Sequence, residues 1–238
     1  MSFNEIVRSG LSDWGLPAPD DALARLEAFC SLVLKTNKVM NLTAVTDPDA
    51  FAVRHVLDSL SILTCADLRG KKIIDIGTGP GFPGMPLKLY DPSLDITFVD
   101  STQKRIDFII KSAETLGVDA ATYVARAEEL IAKPGMRAGF DVVLSRAVAP
   151  LNILSELCLP FLRTGGQFLP LKSDNESFAA ELAQARRAID VLGGTVRGTH
   201  PYALPGVEGK KCVVIVQKTR ETPAKYPRRY AKISQNPL

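Results

Sequence analysis

Apolar positions in the first quarter of the chain recur at helical spacing; beyond residue 70 they come in short runs cut by turns. Residues 1–16 carry a modest amphipathic pattern. A clearer helix opens at Pro19-Asp20-Asp21, with Leu23, Leu26, Cys30, Val33 and Leu34 on one stripe and acids in its first turn. It is predicted to end near Asn37, before Asn41-Leu42-Thr43. Asp47 as cap and Pro48 at the first position start another helix, reaching Thr64 with Phe51, Val56, Leu60 and Leu63 inward. No Pro/Gly-rich linker follows, so residues 1–66 are expected as a helical extension packed on the core.

From Lys71 strands and helices alternate, the pattern of a mostly parallel sheet with helices on both faces. Strands are predicted at 73–76, 94–100, 121–125, 140–144 and 167–171, with helices over 104–116, 150–162 and 176–192. Two last strands, 195–200 and 211–218, have no helix between them. A closing antiparallel hairpin of this kind belongs to Rossmann-like methyltransferases and is lacking in dinucleotide dehydrogenases. The expectation is an α/β fold: a seven-stranded sheet over 67–220, with a basic tail at 221–238.

Composition narrows this further. With 46% hydrophobic residues, a chain of 238 can fill a sizeable core. Four cysteines stand far apart and there are two histidines, so no metal site is expected. Thiols without pairing spacing point to the cytoplasm. No run approaches the roughly 18 apolar residues that cross a bilayer. The net charge of +3 selects no partner by itself.

The chemistry concentrates in Asp75-Ile76-Gly77-Thr78-Gly79-Pro80-Gly81-Phe82-Pro83-Gly84, a loop after an apolar run with four glycines in eight residues. Glycines admit φ > 0 and close approach of a ligand, and a helix start favours an anion. Asp75 selects among ligands: at a strand's carboxyl end it would repel a pyrophosphate and attract the ammonium of a methionyl group. A turn or cap role for Asp75 is the plainer alternative. Asp100, about twenty residues on, ends the second strand where an acid accepts from ribose hydroxyls, and it also suits a helix cap. Arg146 follows Val142-Val143-Leu144 at the ligand edge of the sheet. Its fork suits Asp75 or a carboxylate of substrate or cofactor.

Asn41-Leu42-Thr43, Arg54-His55-x-x-Asp58-Ser59, the Asp75–Gly84 loop, Asp100-Ser101-x-x-Lys104-Arg105, Arg126-Ala127-Glu128 and Ser145-Arg146-Ala147 resemble, in order and spacing, the glucose-inhibited division protein B family. The resemblance runs from about residue 25 to 218. It implies methyl transfer from S-adenosyl-L-methionine to guanine N7 in the 530 loop of 16S ribosomal RNA, free or in the small ribosomal subunit, by a protein expected to be monomeric. The alternatives are another RNA methyltransferase or a non-catalytic RNA-binding module. Cofactor contacts carried over fall on Gly77, Phe82, Asp100, Ser101, Thr102, Ala127, Glu128 and Arg146; the loop adds Asp75 and Gly79. Lys172-Ser173 departs from the family's Lys-Gly. His55 and Asp58, three apart on one helix face, are candidates with Arg146 for positioning the base, or a plain surface pair. RNA contacts are expected at Asn41, Lys104, Arg105 and Lys172, and at Lys225, Arg228 and Arg229, where cations interleave with aromatics. The same tail also reads as a solvated extension.

Overall fold

The computed structural model describes residues 1–238. Its seven strands are β1 (Lys72–Ile76), β2 (Asp95–Asp100), β3 (Ala121–Val124), β4 (Phe140–Arg146), β5 (Leu162–Asp174), β6 (Gly194–Tyr202) and β7 (Lys210–Lys218), in the order β3-β2-β1-β4-β5-β7-β6. All neighbours up to β5 pair parallel; β7 is antiparallel to both β5 and β6. The helices are α1 (Phe3–Asp13), α2 (Asp20–Met40), α3 (Pro48–Phe51), α4 (Asp58–Leu60), α5 (Gly84–Tyr90), α6 (Gln103–Leu116), α7 (Ala127–Leu130), α8 (Leu151–Cys158), α9 (Phe178–Val191) and α10 (Tyr230–Gln235).

Alternation along the central strand divides the molecule, because successive side chains point to opposite faces of a sheet. Ile73 joins a core built with α1, α2, α5 and α6, whereas Ile74 and Ile76 join a second core with α8, α9 and the chain's end. The helical residues before β1 therefore share the first core with the sheet. Leu23, Leu26, Cys30 and Val33 supply the buried stripe of α2, as their spacing requires.

Where element ends differ from expectation, a local reason is visible. α2 runs past Asn37 to Met40, and the Asn37 side chain brackets Thr43 beyond the helix end, donating to its carbonyl at 2.8 Å and accepting from its N–H at 2.9 Å. Asn41 then ends the helix in the left-handed region at φ 49°. The helix from Pro48 is not uniform: a π-helical segment, Ala52–Leu57, joins α3 to α4. The helix predicted to Leu162 stops at Cys158, then tightens into a 3₁₀ turn, Leu159–Phe161, around Pro160. β5 consequently starts at Leu162 and carries Gly165-Gly166 within it. Nor is the chain's end a free tail: Tyr226 is buried and Ile233 is fully buried in the second core.

Candidate functional site

The glycine loop leaves β1 and is held by two acids. Asp75 is fully buried; its Oδ2 accepts from the Thr78 hydroxyl at 2.6 Å and from the Gly84 N–H at 2.9 Å. It thus ties both ends of the loop, and a Cβ on Gly84 would sit 2.9 Å from that oxygen. Burial pushes its carboxyl up to about 6, against the pull of Thr78 and Gly84. Asp100 accepts from the Gly79 N–H at 3.0 Å, from Arg105 at 3.3 Å and from the Thr102 N–H at 2.9 Å. It braces the turn into α6 at Thr102 and clamps the loop with the same carboxylate.

Between loop, β2 and α7 lies a cavity of about 280 Å³ at the carboxyl ends of the strands. Of the residues expected to hold a cofactor, Gly77, Asp100, Ser101, Ala127 and Glu128 line it. Asp75, Gly79, Phe82, Thr102 and Arg146 do not. Through Oδ2 the structure adds a bracing role beneath the loop to the ammonium contact expected of Asp75. Gly77 has φ 70°, and a Cβ there would lie 2.5 Å from Val148, so the position admits glycine alone. Gly79, at φ 59°, faces open space. A cavity lined by the polar Asp100, Ser101 and Glu128 together with Val99, Ala125, Ala127 and Leu157 suits a nucleoside. The remaining oxygen of Asp75, Oδ1, is buried and unpartnered. These residues fit an adenosyl cofactor.

A second cluster adjoins the first through β4, whose Ser145 hydroxyl donates to the Ile76 carbonyl at 2.9 Å. Arg146 reaches out of β4 into the helical layer, not to Asp75. It donates to Asp58 Oδ2 at 2.9 Å, to the Arg54 carbonyl at 3.3 Å and to His55 Nδ1 at 3.1 Å. A guanidinium has no lone pair to offer, so Nδ1 must accept. The proton therefore sits on His55 Nε2, which donates to the Thr43 hydroxyl at 2.7 Å. Burial first, and the Arg146 charge second, hold His55 down at about 3, so the ring is neutral. It stacks on Phe82 with centroids 4.4 Å apart, and the Arg146 guanidinium lies 4.7 Å from the same ring. Asp58, 1% exposed, also accepts from the Tyr202 hydroxyl at 2.8 Å and pairs with Lys211 at 3.3 Å. The π-helical turn carries Arg54 and His55, a placement frequent at functional sites.

The expected RNA-binding residues part company. Asn41, Lys104, Arg105, Lys225 and Arg229 are exposed. Lys172 is turned inward to Glu181 at 2.6 Å, and Arg228 is locked to Glu156, a carboxylate with 0% exposure. Those two cations are spent on the protein itself. Sequence reasoning missed Tyr202, for which an aromatic at a strand end gave no signal, and Tyr230, which lines the cavity from the far end of the chain.

A β3-β2-β1-β4-β5-β7-β6 sheet with a glycine loop and an acid at the ends of its first two strands defines a Rossmann-like domain of the methyltransferase class. The chain belongs to the GidB family, rRNA small subunit methyltransferase G, whose model matches residues 22–203. It is 42% identical over 230 residues to the ribosomal RNA small subunit methyltransferase G of Geobacillus thermodenitrificans, covering 96% of each chain. The protein of the same name from Acetivibrio thermocellus is 35% identical, over 100% of this chain and 98% of that one. Among solved structures, M. jannaschii TYW2 in complex with AdoMet superposes with a TM-score of 0.53 at 10% identity, over 67% of this chain and 73% of that one. The PH0226 protein of Pyrococcus horikoshii gives 0.55 at 14% identity, over 78% and 99%. Both speak for the fold.

Proposed function

We propose that this chain transfers the methyl group of S-adenosyl-L-methionine to N7 of a guanine in the 530 loop of 16S ribosomal RNA. Family membership across nearly the whole chain supports the reaction. The observation that carries the assignment of parts is the pairing of a nucleoside-sized cavity with an arginine next to it whose fork is fixed by Asp58. Gly77, Asp100, Ser101, Ala127 and Glu128 would hold the cofactor, which supplies a methyl group on a positively charged sulfur.

Guanine N7 bears a free lone pair and no proton, so the reaction asks for no general base. The residues agree with that: His55 is neutral with its proton fixed on Nε2, and burial raises all four thiols, Cys30 and Cys212 to about 12. The alkylated base gains positive charge, which a bare cation would oppose. Arg146 is not bare, because Asp58 pairs with it at 2.9 Å and fixes its fork, although Lys211 shares that carboxylate at 3.3 Å. Orientation is then the main contribution the site can make, worth roughly 7–11 kcal/mol when reacting atoms are held in line. The helical layer supplies that rigidity through Arg54, His55 and Asp58.

Incubating the protein with labelled cofactor and small ribosomal subunits lacking the modification tests this reading. The label should map to N7 of one guanine; label spread over many nucleotides, or none above background, would sink it.

A further inference from the structure

The chain's last residues form one side of the cofactor cavity. Tyr230 opens α10 and lines the cavity beside Ser101, Arg126 and Glu128, with the Arg126 guanidinium 5.7 Å from its ring. From there a cleft of about 710 Å³ continues between α7 and the segment from Pro227 to Ser234. Tyr230 is the one aromatic ring among the cavity's lining residues and is 39% exposed.

Its position is built rather than incidental. Two residues earlier, Arg228 donates to Glu156 from its backbone N–H at 2.8 Å, from Nε at 2.8 Å and from Nη2 at 2.6 Å. Glu156 belongs to α8 and is wholly buried. A carboxylate sealed in a helix of the second core is costly unless paired, and its partner comes only from this segment. The Tyr226 carbonyl accepts from Arg137 at 2.5 Å on one side of the anchor, and Ile233 is fully buried on the other. A solvated extension needs no such fixings. They set the place of what lies between them, and what lies there is the ring at the cavity.

We propose that Tyr230 is the outer wall of the adenosine half of the cofactor site, offering its ring face to the purine, so that the C-terminal segment is part of the cofactor site. Of the other lining residues, Val99, Ala125, Ala127 and Leu157 are aliphatic, and Asp100, Ser101, Arg105, Arg126 and Glu128 are polar or charged. A purine presents a flat face, and stacking on an aromatic ring is insensitive to which base is presented. Tyr230 lies beyond residues 22–203, where the family match falls. The proposal rests on the reading of the cavity as the S-adenosylmethionine site.

Calorimetric titration of S-adenosylhomocysteine into the full chain tests it, with hydrogen exchange over residues 229–235 followed with and without the ligand. Tyr230→Ala should bind about tenfold more weakly, the loss expected when a base forfeits its aromatic platform. Tyr230→Phe, which keeps the ring, should restore binding to within about twofold. Ligand should slow exchange over 229–235 in the wild type. Unchanged affinity in Tyr230→Ala, alongside weak binding by Gly77→Val, overturns the wall while leaving the cavity's assignment intact. So does ligand-saturated wild type with no protection at 229–235, a measurement that needs no variant to fold. A wild type that binds no S-adenosylhomocysteine fails at the earlier step, the reading of the cavity itself, and takes this proposal with it.

Discussion

At the scale of single residues, two buried groups give stability opposite pH dependences. Asp75 titrates at about 6 in the folded chain against an ordinary 3.8. Between those values the folded chain holds the proton that the unfolded chain has lost, so stability falls as pH rises, by on the order of 3 kcal/mol. His55 titrates at about 3 against 6.5. There the unfolded chain takes the proton first, and stability is lost as pH falls below 6.5. Urea melts from about pH 4 to 7 should separate the two. Relative to wild type, Asp75→Asn should gain stability as pH rises through this window, and His55→Gln should gain as pH falls. Parallel curves for either variant would mean that the group titrates normally. Arg146 gives a second prediction at this scale. Arg146→Lys keeps the charge and loses the fork that meets Asp58, His55 and the Arg54 carbonyl together. Single-turnover transfer at saturating cofactor should drop about ten- to a hundredfold, the worth of a charged hydrogen bond. Asp58→Asn should show the same defect, because it loosens the same fork. Full activity in both would reduce Arg146 to a neutralising charge.

At the scale of elements, the chain's pattern disclosed what is periodic and hid what is relational. The alternation after Lys71 and the unlinked last two strands were enough to predict the sheet and its closing hairpin, since each strand announces itself locally. The π-helical segment did not show in the sequence, because Val53, Val56 and Leu57 fit an α-helical stripe equally well. Arg146 was legible as a site arginine but its partner was not: Asp58 lies 88 positions away and reaches it only through the packing of the helical layer on β4. Asp75 was legible for the opposite reason, being part of the loop it braces. That loop carries the element-scale prediction. At Gly77 the left-handed φ and the 2.5 Å approach of Val148 both refuse a side chain. Gly77→Val should leave the melting temperature within a few degrees, since Gly77 itself is half-buried and belongs to neither core, and should abolish measurable cofactor binding by calorimetry. Binding within about threefold of wild type would show that the loop adapts, at the roughly 1–2 kcal/mol a strained backbone position costs.

At the scale of the whole molecule, we propose that RNA meets the surface richest in unpaired cations, which need not be the basic carboxyl end. Lys211 is committed to Asp58, Arg220 to Asp190 and Arg228 to Glu156, while Lys218 is buried against the Leu192 carbonyl, which brings its ammonium down to about 8. On the opposite face, α2 and α6 enclose a groove of about 570 Å³ rimmed by Lys35, Lys104 and Lys111. All three are exposed, and Asp107 is the one acid in that lining, already accepting from Gln103 at 2.7 Å. Lys104 precedes Arg105, which lines the cofactor cavity, so the groove and the cavity share α6. A phosphate backbone laid along this face would run beside the reacting centre. Each phosphate neutralised on a single strand releases counterions worth about 0.7 in the slope of log K against log salt. Replacing Lys35, Lys104 and Lys111 together by alanine should therefore flatten that slope by roughly 2, with affinity for S-adenosylhomocysteine unchanged. Filter binding of the target RNA fragment across a salt series reads the slope directly. A triple variant with the wild-type slope would move the RNA to another face, and Lys225, Arg229 and Lys232, the exposed cations of the C-terminal segment, would be the next to remove.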